Sequence, residues 1–255
     1  MTVATAPPGE VEGRRPRAPR GSFRRLYALF LRHQLTWGRA VVILVLGGLA
    51  VLIALAVRTQ ADDPVTVGTE FINNLAFTTV LPICALVFAS SSLGDTIDDR
   101  TLVYLWLTPV PRWHIAAAAT LASATVALPL VFGPLVLAAA ATGAGPALVG
   151  ATAVASTVGT IGYAGLFTAL GLRVRRALLW GIAYILIWEG FVATASDTAA
   201  KLSLRAYTAS ILSQYTGVGL RLGSLTLVSG IVVPLAVGIA SIGVTAWFLT
   251  RITVD

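Results

Sequence analysis

Beyond a polar leader, the chain alternates long apolar runs with short polar breaks. Residues 1–21 are rich in Pro, Gly and Arg, show no apolar period, and read as a disordered basic tail. From Ser22 the pattern changes. Phe23, Leu26, Tyr27, Phe30 and Leu31 recur at i, i+3, i+4, i+7 and i+8, while Arg24, Arg25 and Arg32 fall largely off that stripe. Ser22 is placed to cap the start. The pattern predicts an amphipathic helix over 22–39, lying in a membrane interface or simply extending the first span. Six apolar runs follow, at about 40–57, 71–93, 115–141, 147–172, 177–195 and 225–249. Each approaches or exceeds the ~20 residues that cross a bilayer core, so each predicts a span. The runs are continuous, not alternating, which predicts helices in place of a barrel. The third is long and holds Pro129 and Pro134, which predicts tilt or a kink; the sixth holds Pro234. The expectation is an all-α integral membrane protein, with one domain over 22–255 and six spans within 40–249.

Composition strengthens this reading. The chain is 56% hydrophobic and only 11% charged, against about 25% charged for an average soluble domain. It has too few polar groups to coat a water-facing surface. The net charge of +7 does not point to nucleic acid, because the basic residues sit beside the ends of apolar runs, where lipid headgroups lie. With the N-terminus inside, only Arg58, Lys201, Arg205 and Arg221 of the 18 Lys and Arg fall outside. The RVRR stretch at 173–176 is the strongest local signal for the inner side. Trp37, Trp113 and Trp247 fall near the inner boundaries. These features predict a multi-pass protein of the cell inner (plasma) membrane with both termini cytoplasmic.

Few residues suggest chemistry. No G-x-x-x-x-G-K-[ST] and no H-E-x-x-H occurs. His33 and His114 stand apart from each other and from Cys84, so no catalytic, cofactor or metal site is expected in this chain. Gly159, Gly162 and Gly165, spaced by three, predict a smooth face for helix packing. Glu189, in ILIWEGF, lies about 20 Å along the helix from Arg176. An acid at that depth is costly. It lines a path or gate, reaches water at the outer interface, or pairs with a basic residue of the outer loop. That loop, 196–224, is mildly amphiphilic. It either forms short helices that dip into the outer leaflet or cap a central path, or packs on the protein's own outer surface.

The inner loop between the second and third spans carries the most information: LGDTIDDRTLVYLWLTPVPRWHIAAA. Asp95, Asp98 and Asp99 crowd the start of a short helix, where acids complement the dipole. Leu102, Leu105 and Trp106 share one side of it, Pro109 and Pro111 stop it, and Arg112 marks re-entry. Such a helix suits a groove on a partner, or it lies as a solvated loop on the membrane surface.

This segment resembles the hallmark of the type-2 ABC export permeases, the membrane subunits of ATP-binding-cassette exporters. The matching run is Asp98-Asp99-Arg100-Thr101-Leu102, then Leu105, Leu107-Thr108-Pro109, then Arg112. The family's usual Gly before the Thr is Arg100 here, and its frequent Ser after the Pro-Val pair is Pro111. The resemblance is sharp over about 93–114, and the order of spans and loops extends it to most of the chain. It implies a permease that pairs with a second permease subunit, identical or paralogous. It also implies separate ABC ATPase subunits that bind ATP and Mg and dock on the loop as a coupling helix. The chain itself would be no enzyme. The Ala-, Leu- and Val-rich wall suggests a hydrophobic or amphipathic cargo such as a lipid, drug or peptide. The alternatives are an ion-coupled secondary transporter, with Glu189 as its candidate ion group, and a membrane-embedded enzyme or assembly factor. The latter needs convergent polar residues that are scarce here.

Overall fold

A computed structural model describes residues 22–34, 37–98 and 110–251. Among the described residues every regular element is a helix. The basic tail expected over 1–21 lies outside them. Helix α1, Ser22–Gln34, precedes the first span, α2, Trp37–Gln60. The second span runs from α3, Pro64–Phe71, through wide π-type turns over Ile72–Val80, into α4, Leu81–Asp98. The third and fourth spans are α5, Arg112–Ala141, and α6, Pro146–Arg173. The fifth joins α7, Ala177–Ala183, to a second wide-turn segment, Tyr184–Val192, and the short α8, Ala193–Ala195. Two more helices follow, α9, Asp197–Ala200, and α10, Leu204–Thr216, before the sixth span, α11, Leu227–Arg251. Six helices are therefore long and apolar enough to cross a membrane. Their outward faces carry Leu44, Val45, Leu52, Leu179, Phe191 and Ile239 in the open. Apolar surface on that scale suits lipid and not water.

The ends of the spans differ. Arg39, Arg112, Arg173, Arg175, Arg176 and Arg251 gather at one end, with Trp37, Trp113, Trp180 and Trp247 exposed beside them. At this end α1 docks on the third span. Leu26 and Phe30 bury against Ile115, Ala119 and Ala122, Gln34 Nε2 donates to Ser123 Oγ at 3.0 Å, and the Tyr27 hydroxyl donates to Thr125 at 3.0 Å. The stripe that the sequence assigns to a membrane interface is thus partly spent on the protein itself, while Arg24, Arg25 and Arg32 stay exposed.

Small residues set the central crossings. A Cβ on Gly162 would lie 3.0 Å from the Pro234 carbonyl oxygen, and one on Gly165 would lie 2.8 Å from Gly238 Cα. Gly47 likewise leaves room for the Pro134 ring of the third span. The fourth span, packed on the second, third and sixth and on α10, is the hub of the bundle. Close backbone approach of this kind drives helix association in lipid, where burial of apolar area between spans gains little.

At the opposite end Asp63 starts the second span. Its Oδ1 accepts from the Val65 amide at 3.1 Å, with Pro64 in the first helical turn. The Thr66 hydroxyl, then the Thr66 amide, hold the Asp63 carboxyl below its usual value against an opposing effect of desolvation, with a lesser contribution from the Val65 amide. Because the folded value is depressed, the cap's contribution is present above the ordinary carboxylate range, about pH 4, and is lost as pH falls through the lowered value. Asp63→Ala is expected to speed hydrogen exchange of the Val65 amide at neutral pH. Exchange unchanged from the wild type would contradict the cap.

Candidate functional site

The segment between the fifth and sixth spans enters the bundle. Helix α10 packs on the fourth and sixth spans and on the wide turns of the second, with Leu204, Tyr207, Thr208, Ile211 and Leu212 buried. Thr208 reaches Gly159, whose missing Cβ makes the room. Gly159 lies 13 residues along α6 from Pro146, so α10 descends about 20 Å below that end of the fourth span. The segment therefore folds back beside the spans instead of lying across their ends.

Backbone at such depth must find partners within the protein. It does so through the Ser, Tyr and Gln residues that make the segment look amphiphilic. The Tyr207 hydroxyl donates to the Lys201 carbonyl at 2.7 Å, and Trp188 Nε1 to the Leu202 carbonyl at 3.3 Å. Between α10 and the segment that follows it, Ser213 donates to the Val218 carbonyl at 2.7 Å, and Ser210 Oγ accepts from the Leu225 amide at 3.1 Å.

Glu189 holds the deep end of α10. It is 1% exposed. The Ser203 hydroxyl donates to Oε2, the Leu204 amide to Oε1 at 3.2 Å, and the Arg205 amide to Oε2 at 3.2 Å. The Tyr184 hydroxyl donates to Oε1 at 2.9 Å. Four donors fill the lone-pair directions that a carboxylate offers. Two of them are first-turn amides of α10, so Glu189 acts as a helix cap supplied from another span, at the positive end of the dipole. Arg205 Nη1 donates to the Glu189 carbonyl oxygen at 3.4 Å. Among the environments open to Glu189 in the sequence, the described residues surround its carboxyl group with hydroxyls and amides of the α10 terminus and the fifth span, while the Arg205 guanidinium meets its backbone carbonyl and not the carboxyl oxygens.

The wide turns explain how these groups meet. At about 100° per residue, Tyr184 and Glu189 would fall about 140° apart on an α-helix. The π-type turns over Tyr184–Val192 bring the pair onto one side. The Tyr163 ring of the fourth span packs parallel to Phe167 at 5.7 Å, and Phe167 meets Tyr184 edge-on at 6.1 Å, closing the site from that side. Sequence reasoning finds Glu189 but misses Tyr163, Tyr184 and Ser203, because no periodic signal joins them.

The loop between the second and third spans is anchored at both ends. Asp95 and Asp98 belong to the last turns of α4, and Arg112, half-buried, opens the third span beside the exposed Trp113. Asp99, Arg100, Thr101, Leu102, Leu105, Trp106, Thr108 and Pro109 lie outside the described residues. Among the described residues no three His, Cys, Asp or Glu side chains come together as a metal site.

Comparison with protein-family models and with curated protein sequences finds no match.

Proposed function

We propose that this chain is the permease subunit of an ATP-binding-cassette exporter of the type-2 kind. The observation that carries the reading is the ordered run from Asp98 to Arg112, set between the second and third of six candidate spans. In this reading both termini are cytoplasmic in the inner (plasma) membrane, and two permease subunits flank a path for a hydrophobic or amphipathic cargo. Partner ATPase subunits bind ATP and Mg. Their closure pushes the Leu102 and Leu105 side of the loop helix, and the push reaches the second and third spans to which the loop is joined. Cargo moves because the two states of the bundle bind it differently. Glu189 serves as a gate latch: it ties the fifth span to α10, so the two move together.

Leu102→Asp combined with Leu105→Asp is expected to abolish co-elution of the ATPase while leaving membrane insertion intact. Normal co-elution from that variant would remove the assignment of the loop. One observation favours a second reading, an ion-coupled carrier: a buried carboxyl group sits in a wide-turn segment deep in the bundle. Transport driven by a proton gradient without ATP would support that carrier and contradict the exporter.

A further inference from the structure

At the arginine-rich end the first, second, fourth and fifth spans enclose a cavity of about 210 Å³. Arg39, Arg173, Arg175 and Arg176 line it, and no carboxylate is among its described lining residues. The rest of its polar wall is neutral. Ser91 accepts from Arg39 Nη1 at 2.9 Å, and Gly171 approaches the Ser90 carbonyl too closely for any Cβ. The turn that carries the arginines is unusual. Val174 is extended, and Arg176 has φ 59°, the one described residue other than glycine in the left-handed region. Such backbone conformations cluster at ligand clamps. Arg176 gives the first turn of α7 no side-chain cap, and that turn, through Ala177 and Leu178, forms part of the cavity wall. The exposed Arg173, Arg175 and Arg176 thus converge on one space, an arrangement that attracts an oxyanion.

The surroundings specify which one. Exposed Trp37 and Trp180 mark the headgroup level of a bilayer at this end. Leu178, in the cavity wall, and Leu179 next to it are exposed and apolar. We propose that the cavity binds the phosphate of an anionic phospholipid, with Arg175 and Arg176 forking to its oxygens and the acyl chains lying along Leu178 and Leu179. Arg173 also faces the Phe248 ring at 6.0 Å, so it shapes the rim. The inference is independent of the transport reading.

The test uses the full chain in mild detergent, following its thermal midpoint as dioleoyl-phosphatidylglycerol, dioleoyl-phosphatidylcholine or inorganic phosphate is added. Phosphatidylglycerol is expected to raise the midpoint saturably and phosphatidylcholine to do so weakly. Arg175→Gln with Arg176→Gln should raise the phosphatidylglycerol concentration needed by about tenfold or more. Arg24→Gln with Arg25→Gln removes the same charge from the exposed face of α1 and should leave it unchanged. Equal loss in both pairs would reduce the effect to diffuse surface attraction and overturn the site. A shift from inorganic phosphate but none from lipid would assign the cavity to a soluble anion and overturn the lipid. If the first pair does not fold, Arg39→Gln is read by the same criteria.

Discussion

Glu189→Ala is expected to destabilise the protein by about 3–5 kcal/mol, the upper range for a substitution that breaks a buried hydrogen-bond network. The reason is the number of groups left behind. The Ser203 and Tyr184 hydroxyls and the Leu204 and Arg205 amides all lose their acceptor, each at a cost of about 1–3 kcal/mol where water cannot replace it. Relaxation of α10 recovers part of that sum. In a chain of this size the loss corresponds to a fall of about 6–20 °C in the thermal midpoint. Ser203→Ala removes one donor and leaves the carboxyl group three, so a smaller fall is expected. A Glu189→Ala protein that melts with the wild type but transports differently would make Glu189 a residue of the path and not the clasp of α10.

The second large effect is steric. Gly165→Leu is expected to cost about 3 kcal/mol or more, and Gly165→Ala about 1–3 kcal/mol. The atoms that would meet the new Cβ are the Gly238 Cα and carbonyl oxygen, both at 2.8 Å. These are backbone atoms of the sixth span and cannot rotate away, so the helices must part and lose contact along the whole crossing. Gly150, on the same helix, faces nothing within 4 Å. Gly150→Ala should be neutral or stabilising by up to about 1 kcal/mol, through helix propensity alone. Equal thermal midpoints for the Gly150→Ala and Gly165→Ala proteins would contradict the close crossing.

The architecture is legible in the sequence because lipid imposes one strong requirement, an apolar run about 20 residues long. The fifth run coincides with its helix at Ala177–Ala195, and the first extends from 40–57 to Trp37–Gln60. The second grows most, starting at Pro64 where the apolar run begins at Phe71, because Asp63 and Pro64 nucleate a turn before the hydrophobic stretch. The glycine spacing of the fourth span also carries through: Gly159, Gly162 and Gly165 receive Thr208, Pro234 and Gly238.

The site around Glu189 was only half legible. Hydropathy marks a lone acid but not its partners, since those come from the fourth span, the fifth span and the start of α10. The wide turns that align Tyr184 with Glu189 break the 3.6-residue period on which helical-face reasoning depends. The segment 196–224 reads as amphiphilic, with short helices or surface packing both open, because its sequence does not show that Tyr207, Ser210 and Ser213 serve backbone inside the bundle. Its composition is that of a segment satisfying itself within the bundle.

The central claim, a permease driven by separate ATPase subunits, is tested most directly by purifying the tagged full chain from gently solubilised native membranes and assaying the eluate for ATPase activity. The expected result is a stoichiometric nucleotide-binding partner that hydrolyses ATP and is lost when Leu102 and Leu105 become Asp. A pure, folded chain that elutes without any ATPase would contradict it.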